Sequence, residues 1–222
     1  MRYRAIATDY DGTLATDGRV SDTTLIALKR YQQAGGKLLM VTGRELSDLQ
    51  RAFPELAIFD GVVVENGAVF FHPPSQRLQL LADPFPTEFV TALQTQQVTP
   101  INTGHIIVST WQPHGTVVQQ TIQAMGFEAR VIMNKRAVMV LPAGITKATG
   151  LSAALADLGL TPETVAGIGD AENDFDLIKS CGLGVAVANA LPAVKDMADR
   201  VTTQPRGVGV EELIDWILTD RL

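Results

Sequence analysis

The chain has a single cysteine, Cys181, so no disulfide can close within it. Its setting, "IKSCGLGVAV", reads as that of a small buried apolar residue rather than a nucleophile. Long apolar runs are missing too. The longest, such as "GLGVAVANALPAV", fall short of a bilayer span and are broken by Gly, Asn and Pro. The amino-terminal "MRYRAIATDYDG" carries charges where a secretory leader would need an apolar stretch, so the expected location is cytoplasmic. No Lys/Arg run occurs, and 18 basic against 24 acidic residues leave a net charge of −6, so the electrostatic footprint of a nucleic-acid binder is lacking. Acidity does not exclude an anionic substrate, because a divalent cation held by carboxylates inverts the local field. The three histidines, His72, His105 and His114, are scattered without metal-ligand spacing. "GLGVAV" begins like a dinucleotide fingerprint but lacks the third glycine, so no NAD site is expected.

What is present is an ordinary globular composition, 46% hydrophobic and 19% charged over 222 residues, enough chain for one large domain or a core with an insertion. Short apolar runs recur with helical patterns between them: "RAIAT", "KLLMV", "GVVVE", "TVAGIG" and "GLGVAV". Strands alternating with helices predict a doubly wound, Rossmann-like parallel α/β sheet. Helices are expected over Ser21–Ala34, Glu45–Phe53, Thr149–Leu158, Asp174–Ser180, Leu191–Ala198 and Val210–Leu218. The middle of the chain follows another rule. After "ADPFPT" the order is helix, "VTPIN", "HIIVSTW", helix, "EARVIMN", "AVMVLP", which predicts an antiparallel sheet with helices on one face. We therefore expect a core from residues 1–83 and 146–222, with an inserted α+β domain at 84–145.

The chemistry concentrates where strands of a parallel sheet should end, the ligand crevice of such sheets. "TDYDGT" puts Asp9 and Asp11 just past the first strand, as either a metal-binding and catalytic pair or a strand-to-loop turn. "VTGR" puts Thr42, Gly43 and Arg44 past the second, as phosphate-binding groups or a plain helix start. "GIGDAENDFD" supplies Asp170, Asn173, Asp174 and Asp176; the last reads as an acid favouring a helix N-terminus. Lys147, in "GITKATG", is a functional cation or a solvated lysine at a domain junction.

Together "DYDGT", "TGR", Lys147 and "GDAEND", in that order, resemble the haloacid dehalogenase superfamily of phosphohydrolases. The insert between the second and third motifs is similar to the α+β cap of its Cof-like branch, and "ENGAVFF" and "GVAVANA" look like that branch's connecting segments. Ala171 departs from the commoner Gly or Ser, and the cap is short, similar to that of archaeal-type phosphoglycolate phosphatases.

The resemblance implies a Mg²⁺-dependent phosphomonoester hydrolase acting on phosphoglycolate, a sugar phosphate or a similar small metabolite through an aspartyl-phosphate. Asp9 would be the nucleophile and Asp11 the acid and base. Asp9, Asp11 through its carbonyl, Asp170 and Asp174 would form the metal shell. Thr42, Gly43, Arg44, Lys147 and Asn173 would hold the phosphoryl group and substrate, Lys147 also serving catalysis. Candidates for reading the leaving group are Asn102, His105, Lys135, Arg136 and Arg44. A sugar phosphotransferase or mutase, or a nonenzymatic phosphate-sensing module, are the alternative readings.

Overall fold

A computed structural model of the chain describes residues 1–134 and 136–222; Lys135 lies outside the described residues. The first half of the core contributes β1 (Ala5–Thr8), α1 (Asp22–Gln33), β2 (Lys37–Val41), α2 (Leu46–Ala52), β3 (Gly61–Val64), β4 (Val69–His72) and β5 (Arg77–Leu80). An intervening unit follows, with α3 (Thr87–Thr95), β6 (Asn102–Thr103), β7 (Val108–Trp111), α4 (Gly115–Met125), β8 (Ala129–Asn134) and β9 (Ala137–Pro142). The chain then returns through α5 (Lys147–Leu158), β10 (Val165–Gly169), α6 (Phe175–Ser180), β11 (Leu183–Ala186), α7 (Pro192–Met197), β12 (Arg200–Val201) and α8 (Arg206–Leu218).

The large sheet has eight strands in the order β12-β11-β10-β1-β2-β3-β4-β5. It is parallel from β12 through β3, as its continuous apolar strands require, and antiparallel at β4 and β5. Because side chains alternate across a strand, each strand feeds two cores. Ile6, Leu38, Met40, Val62, Val64 and Ile168 face one side, where Leu28, Tyr31, Leu213 and Ile214 pack. Ala5, Ala7, Leu39, Val41 and Val63 face the other, against Leu151, Ala154 and Leu155 of α5.

Local sequence explains the helix ends. The Ser21 side chain accepts from Thr24 N–H at the start of α1, and Gly35, with φ +90°, lies just past its end. At α5 the capping residue is Thr146, in a reciprocal box with Thr149, so the helix begins two residues before the expected start. That shift places Lys147 in the first turn, where it is buried.

The second sheet is antiparallel in the order β6-β7-β9-β8. The "VTPIN" strand contracts to Asn102–Thr103, because the apolar residue Val98 is instead buried with α3 and α4 beside Phe89 and Leu93. One face of this sheet, with Val108, Val138 and Val140, forms a separate apolar cluster with those helices. Ile107, Met139 and Leu141 turn the other way and join the main core. Among the described residues no helix is long and apolar enough to cross a membrane.

Candidate functional site

The chain leaves β1 in one direction across the sheet through β2 and β3, and returns on its other side through β10 and β11. This is the topological switch point where parallel sheets bind ligands. The register pairs Thr8 with Ile168, and Asp9 N–H donates to Ile168 C=O at 3.0 Å, so Asp9 and Asp170 leave the sheet side by side. Thr13 Oγ1 donates to Asp170 Oδ1 at 3.0 Å. Gly12, with φ +92°, passes so close to Asp170 that a Cβ there would fall on the carboxylate. The Asp-Gly-Thr spacing is therefore the shape of a cradle around Asp170.

At the floor, Lys147 Nζ donates to Asp9 Oδ1 at 2.5 Å and to Asp174 Oδ1 at 2.6 Å, with the lysine side chain 1% exposed. Asp174 Oδ2 accepts from the N–H groups of Asp170 (2.9 Å) and Ala171 (3.0 Å), so Asp174 also shapes the loop that presents Asp170. Ala171 makes its contact through the backbone N–H, which Gly or Ser would supply equally. Asp9, Asp170 and Asp174 each offer an oxygen within 4.8 Å of the others. Two of these three carboxylates share the Lys147 ammonium, and the third, Asp170, stands beside them.

The electrostatics report this arrangement. Burial, opposed by the Lys147 ammonium and reinforced by Asp174, pushes the Asp9 carboxyl up to about 8. Burial alone would lower the affinity of Lys147 for its proton, but the Asp174 and Asp9 carboxylates outweigh it and hold the ammonium well above its ordinary range. Three hard oxygen donors gathered this closely suit a hard divalent cation such as Mg²⁺.

Above the floor is a cleft of about 640 Å³, lined from the core by Asp9, Asp11, Thr42, Gly43, Arg44, Asp170 and Asn173. The buried Thr42 hydroxyl accepts from Arg44 N–H at 3.2 Å, which closes the turn that presents Gly43. Arg44 forks onto Asp11, Nε to Oδ2 at 2.6 Å and Nη2 to Oδ1 at 2.8 Å, while Nη1 reaches Asp48 Oδ2 at 2.7 Å. Its guanidinium also lies 5.2 Å from the Tyr10 ring centroid. The structure thus brings together every residue expected at the site, with Lys147 and Asp174 beneath the cleft.

The residues expected to read the leaving group fare differently. Asn102 lines the cleft, together with Ile107 of the turn after it and Ser109, Trp111 and Met139 of the second sheet. His105 instead turns to Glu65, with Nδ1 3.3 Å from Oε1. Arg136 is exposed, lies outside the cleft lining, and shows the described contact of its carbonyl with Gln112 N–H. Sequence reasoning missed Glu65 and Asn66, read only as part of a connecting segment. The available signal was a charged residue ending an apolar strand before Asn-Gly. Asn66 Oδ1 accepts from Asn173 Nδ2 at 3.1 Å, which joins two of the loops around the cleft.

Comparison with known proteins agrees with this geometry. A family model described as haloacid dehalogenase-like hydrolase matches residues 6–98 and 94–214. A phosphoglycolate phosphatase of Methanothermobacter thermautotrophicus is 31% identical, over 95% of this chain and 97% of that protein. Phosphoglycolate phosphatase 1 of Saccharolobus solfataricus is 29% identical over 97% of this chain and 96% of its own length. The fold is similar to that of a Bacteroides thetaiotaomicron haloacid dehalogenase-like hydrolase, with TM-score 0.81 and 24% identity over 97% of this chain and 99% of that one. A Thermoplasma acidophilum protein superposes with TM-score 0.83 at 16% identity, covering 96% of this chain and 97% of its own.

Proposed function

The chain belongs to the haloacid dehalogenase-like hydrolases, and from that premise we propose that it is a phosphatase that hydrolyses a small phosphomonoester of the phosphoglycolate or sugar-phosphate class through an aspartyl-phosphate. The observation that carries this reading is the buried Lys147 bridging Asp9 and Asp174 beside Asp170, at the mouth of the parallel sheet.

Asp9, Asp170 and the Asp11 carbonyl would hold Mg²⁺, with Asp174 supporting the shell. When bound, the cation neutralises negative charge on the carboxylates and the phosphoryl oxygens, which otherwise repel an anionic nucleophile. Lys147 orients Asp9 through Oδ1 and shares the charge burden from below. Thr42 and the Gly43 N–H would receive phosphoryl oxygens from within the cleft and Lys147 from beneath it, and such preorganised donors are each worth about 3 kcal/mol in a transition state.

Asp9 attacks phosphorus, forming the Asp9 O–P bond as the ester P–O bond breaks, and Asp11 gives its proton to the departing alcohol oxygen. Asp11 then takes a proton from water, whose oxygen attacks phosphorus and releases Asp9. To donate its proton, Asp11 must first loosen the Arg44 fork that occupies both of its oxygens. Substrate entering beside Arg44 offers that arginine another partner, so binding and activation of the acid are linked. The family relatives named phosphoglycolate phosphatases favour a leaving group that carries a carboxylate, the partner a planar guanidinium fits best.

The test is release of inorganic phosphate from phosphoglycolate, a panel of sugar phosphates and p-nitrophenyl phosphate, with Mg²⁺ and with excess EDTA, and with and without a sugar acceptor. Phosphate release dependent on the cation and indifferent to the acceptor supports the hydrolase. Transfer to the sugar would make it a phosphotransferase, and no turnover of any ester would remove the enzymatic reading.

A further inference from the structure

The insert is seated over the cleft by a residue that takes no part in the steps above. Glu65 follows β3, and its side chain is completely buried. Its carboxylate receives three consecutive backbone N–H groups from the turn between β6 and β7: His105 N to Oε1 at 2.8 Å, and Ile106 N and Ile107 N to Oε2, each at 2.9 Å. Successive N–H groups aimed at one point form an anion-binding concavity, and here the chain supplies the anion itself. Gly104 closes over the same carboxylate: a Cβ there would lie 2.6 Å from Oε1.

Glu65 is held just as firmly from the core side. Both Glu65 and Asn66 have φ of +53°, a left-handed conformation that is unfavourable for residues with side chains and persists where surroundings enforce it. Those surroundings are the turn under the cleft, since Glu65 N–H donates to Arg44 C=O (2.9 Å) and Asn66 N–H to Thr42 C=O (3.0 Å). The Asn66 side chain lies against Gly43, accepts from Asn173 and points its amide at Met139 Sδ, 3.3 Å away. A two-residue bracket therefore ties the Thr42–Arg44 turn, the Asn173 loop and the inner face of the second sheet into one unit.

Building on the phosphatase reading, we infer that Glu65 is a positioning residue that sets leaving-group selectivity without touching substrate. Ile107, which lines the cleft, is the last of the amides that Glu65 holds, and Asn102 and Met139 belong to the same roof. An apolar contact in place of Glu65 would bury the turn but would let it slide. A carboxylate taking three directed hydrogen bonds leaves the roof one height and one tilt.

The experiment compares Glu65→Gln and Gly104→Ala with the wild-type protein. The first puts an amide NH₂ among N–H donors, and the second pushes the turn off the carboxylate from the insert side. For each, kcat/KM is measured for phosphoglycolate and p-nitrophenyl phosphate, with amide hydrogen exchange and thermal stability. We expect the ratio of the two kcat/KM values to change on the order of tenfold in both variants, with faster exchange at residues 105–107 and unchanged exchange in β8 and β9. An unchanged ratio in a folded Gly104→Ala variant overturns the inference. So does an equal loss on both esters with unaltered exchange, or loss of thermal stability in Glu65→Gln while Gly104→Ala behaves as wild type. Wild-type protein that hydrolyses neither ester defeats the phosphatase reading instead, and the exchange rates then report the anchor separately.

Discussion

Arg44 holds Asp11 with two nitrogens at once, Nε at 2.6 Å and Nη2 at 2.8 Å, and spends its third on Asp48. Such a grip depends on the planar fork of arginine, which lysine lacks. Arg44→Lys is therefore expected to behave more like Arg44→Ala than like wild type, with both losing about tenfold or more in kcat/KM for phosphoglycolate. Steady-state kinetics on the three proteins would decide it, and full activity in the lysine variant would show that charge alone suffices.

Asp9→Asn removes the proposed nucleophile and one of the two carboxylates that share the Lys147 ammonium. Turnover should vanish, yet in EDTA at pH 8 the melting temperature should not fall, since Lys147 keeps Asp174 as partner. Loss of activity together with marked destabilisation would mean that Asp9 is structural rather than nucleophilic.

Lys147→Met is expected to do the reverse to stability. It leaves Asp9 and Asp174 buried without their ammonium, and breaking a buried pair from one side costs about 3–5 kcal/mol. Denaturant titration of the metal-free protein should show a midpoint well below wild type, with added Mg²⁺ recovering part of the loss. A midpoint equal to wild type would contradict the charge balance described here.

The Asp9 carboxyl, raised from 3.8 to about 8 by burial, sets a pH dependence in the metal-free protein. The folded state holds this proton more tightly than the unfolded state, so the contribution to stability is fully present below pH 3.8 and is lost as pH climbs toward about 8. A cation competes with that proton, so Mg²⁺ should raise the melting temperature more at pH 8 than at pH 5. At 100 times its Kd, ~2.7 kcal/mol of linkage corresponds to roughly 5–10 °C for a chain of this size. Thermal scans at the two pH values, with Mg²⁺ or EDTA, would reveal an opposite order if the carboxylate cluster does not take the ion.

Burial pushes the Cys181 thiol up to about 12, and its sulfur packs where a Cβ on Gly167 would stand, 2.7 Å away. A thiol-specific reagent at pH 8 should therefore label native protein far more slowly than protein in denaturant. Fast labelling of the native state would mean that β10 and α6 part readily.

The site residues were legible to the extent that they sit at ends of apolar strands. Asp9, Thr42 and Asp170 each follow such a run, and the parallel sheet that those runs imply brings the ends together. Lys147 was legible through the family's motif order alone, because nothing in "GITKATG" shows that Thr146 caps a helix and turns the lysine inward. The Glu65 anchor was hidden for a different reason. Its partners are backbone amides some 40 residues away, and amides carry no residue identity to read. β5 escaped for want of a pattern: all of its residues are exposed, so no alternation marks it as the sheet's edge. At the second hairpin, charge alone singled out Arg136, which the structure shows exposed at a turn and outside the cleft lining.

The interleaving of β1 between β10 and β2 also fixes an order of events at the ribosome. Asp9 emerges early, but its lysine follows it by 138 residues and Asp170 comes later still. A nascent chain can pair β1 with β2 and fold the inserted sheet, yet Asp9 stands at an open sheet edge without its lysine until the chain beyond the insert arrives. Contacts of such long sequence separation form late, because closing the intervening loop costs entropy before it is rewarded. The cluster of Asp9, Lys147 and Asp170 is therefore complete only once the last third of the chain has been made.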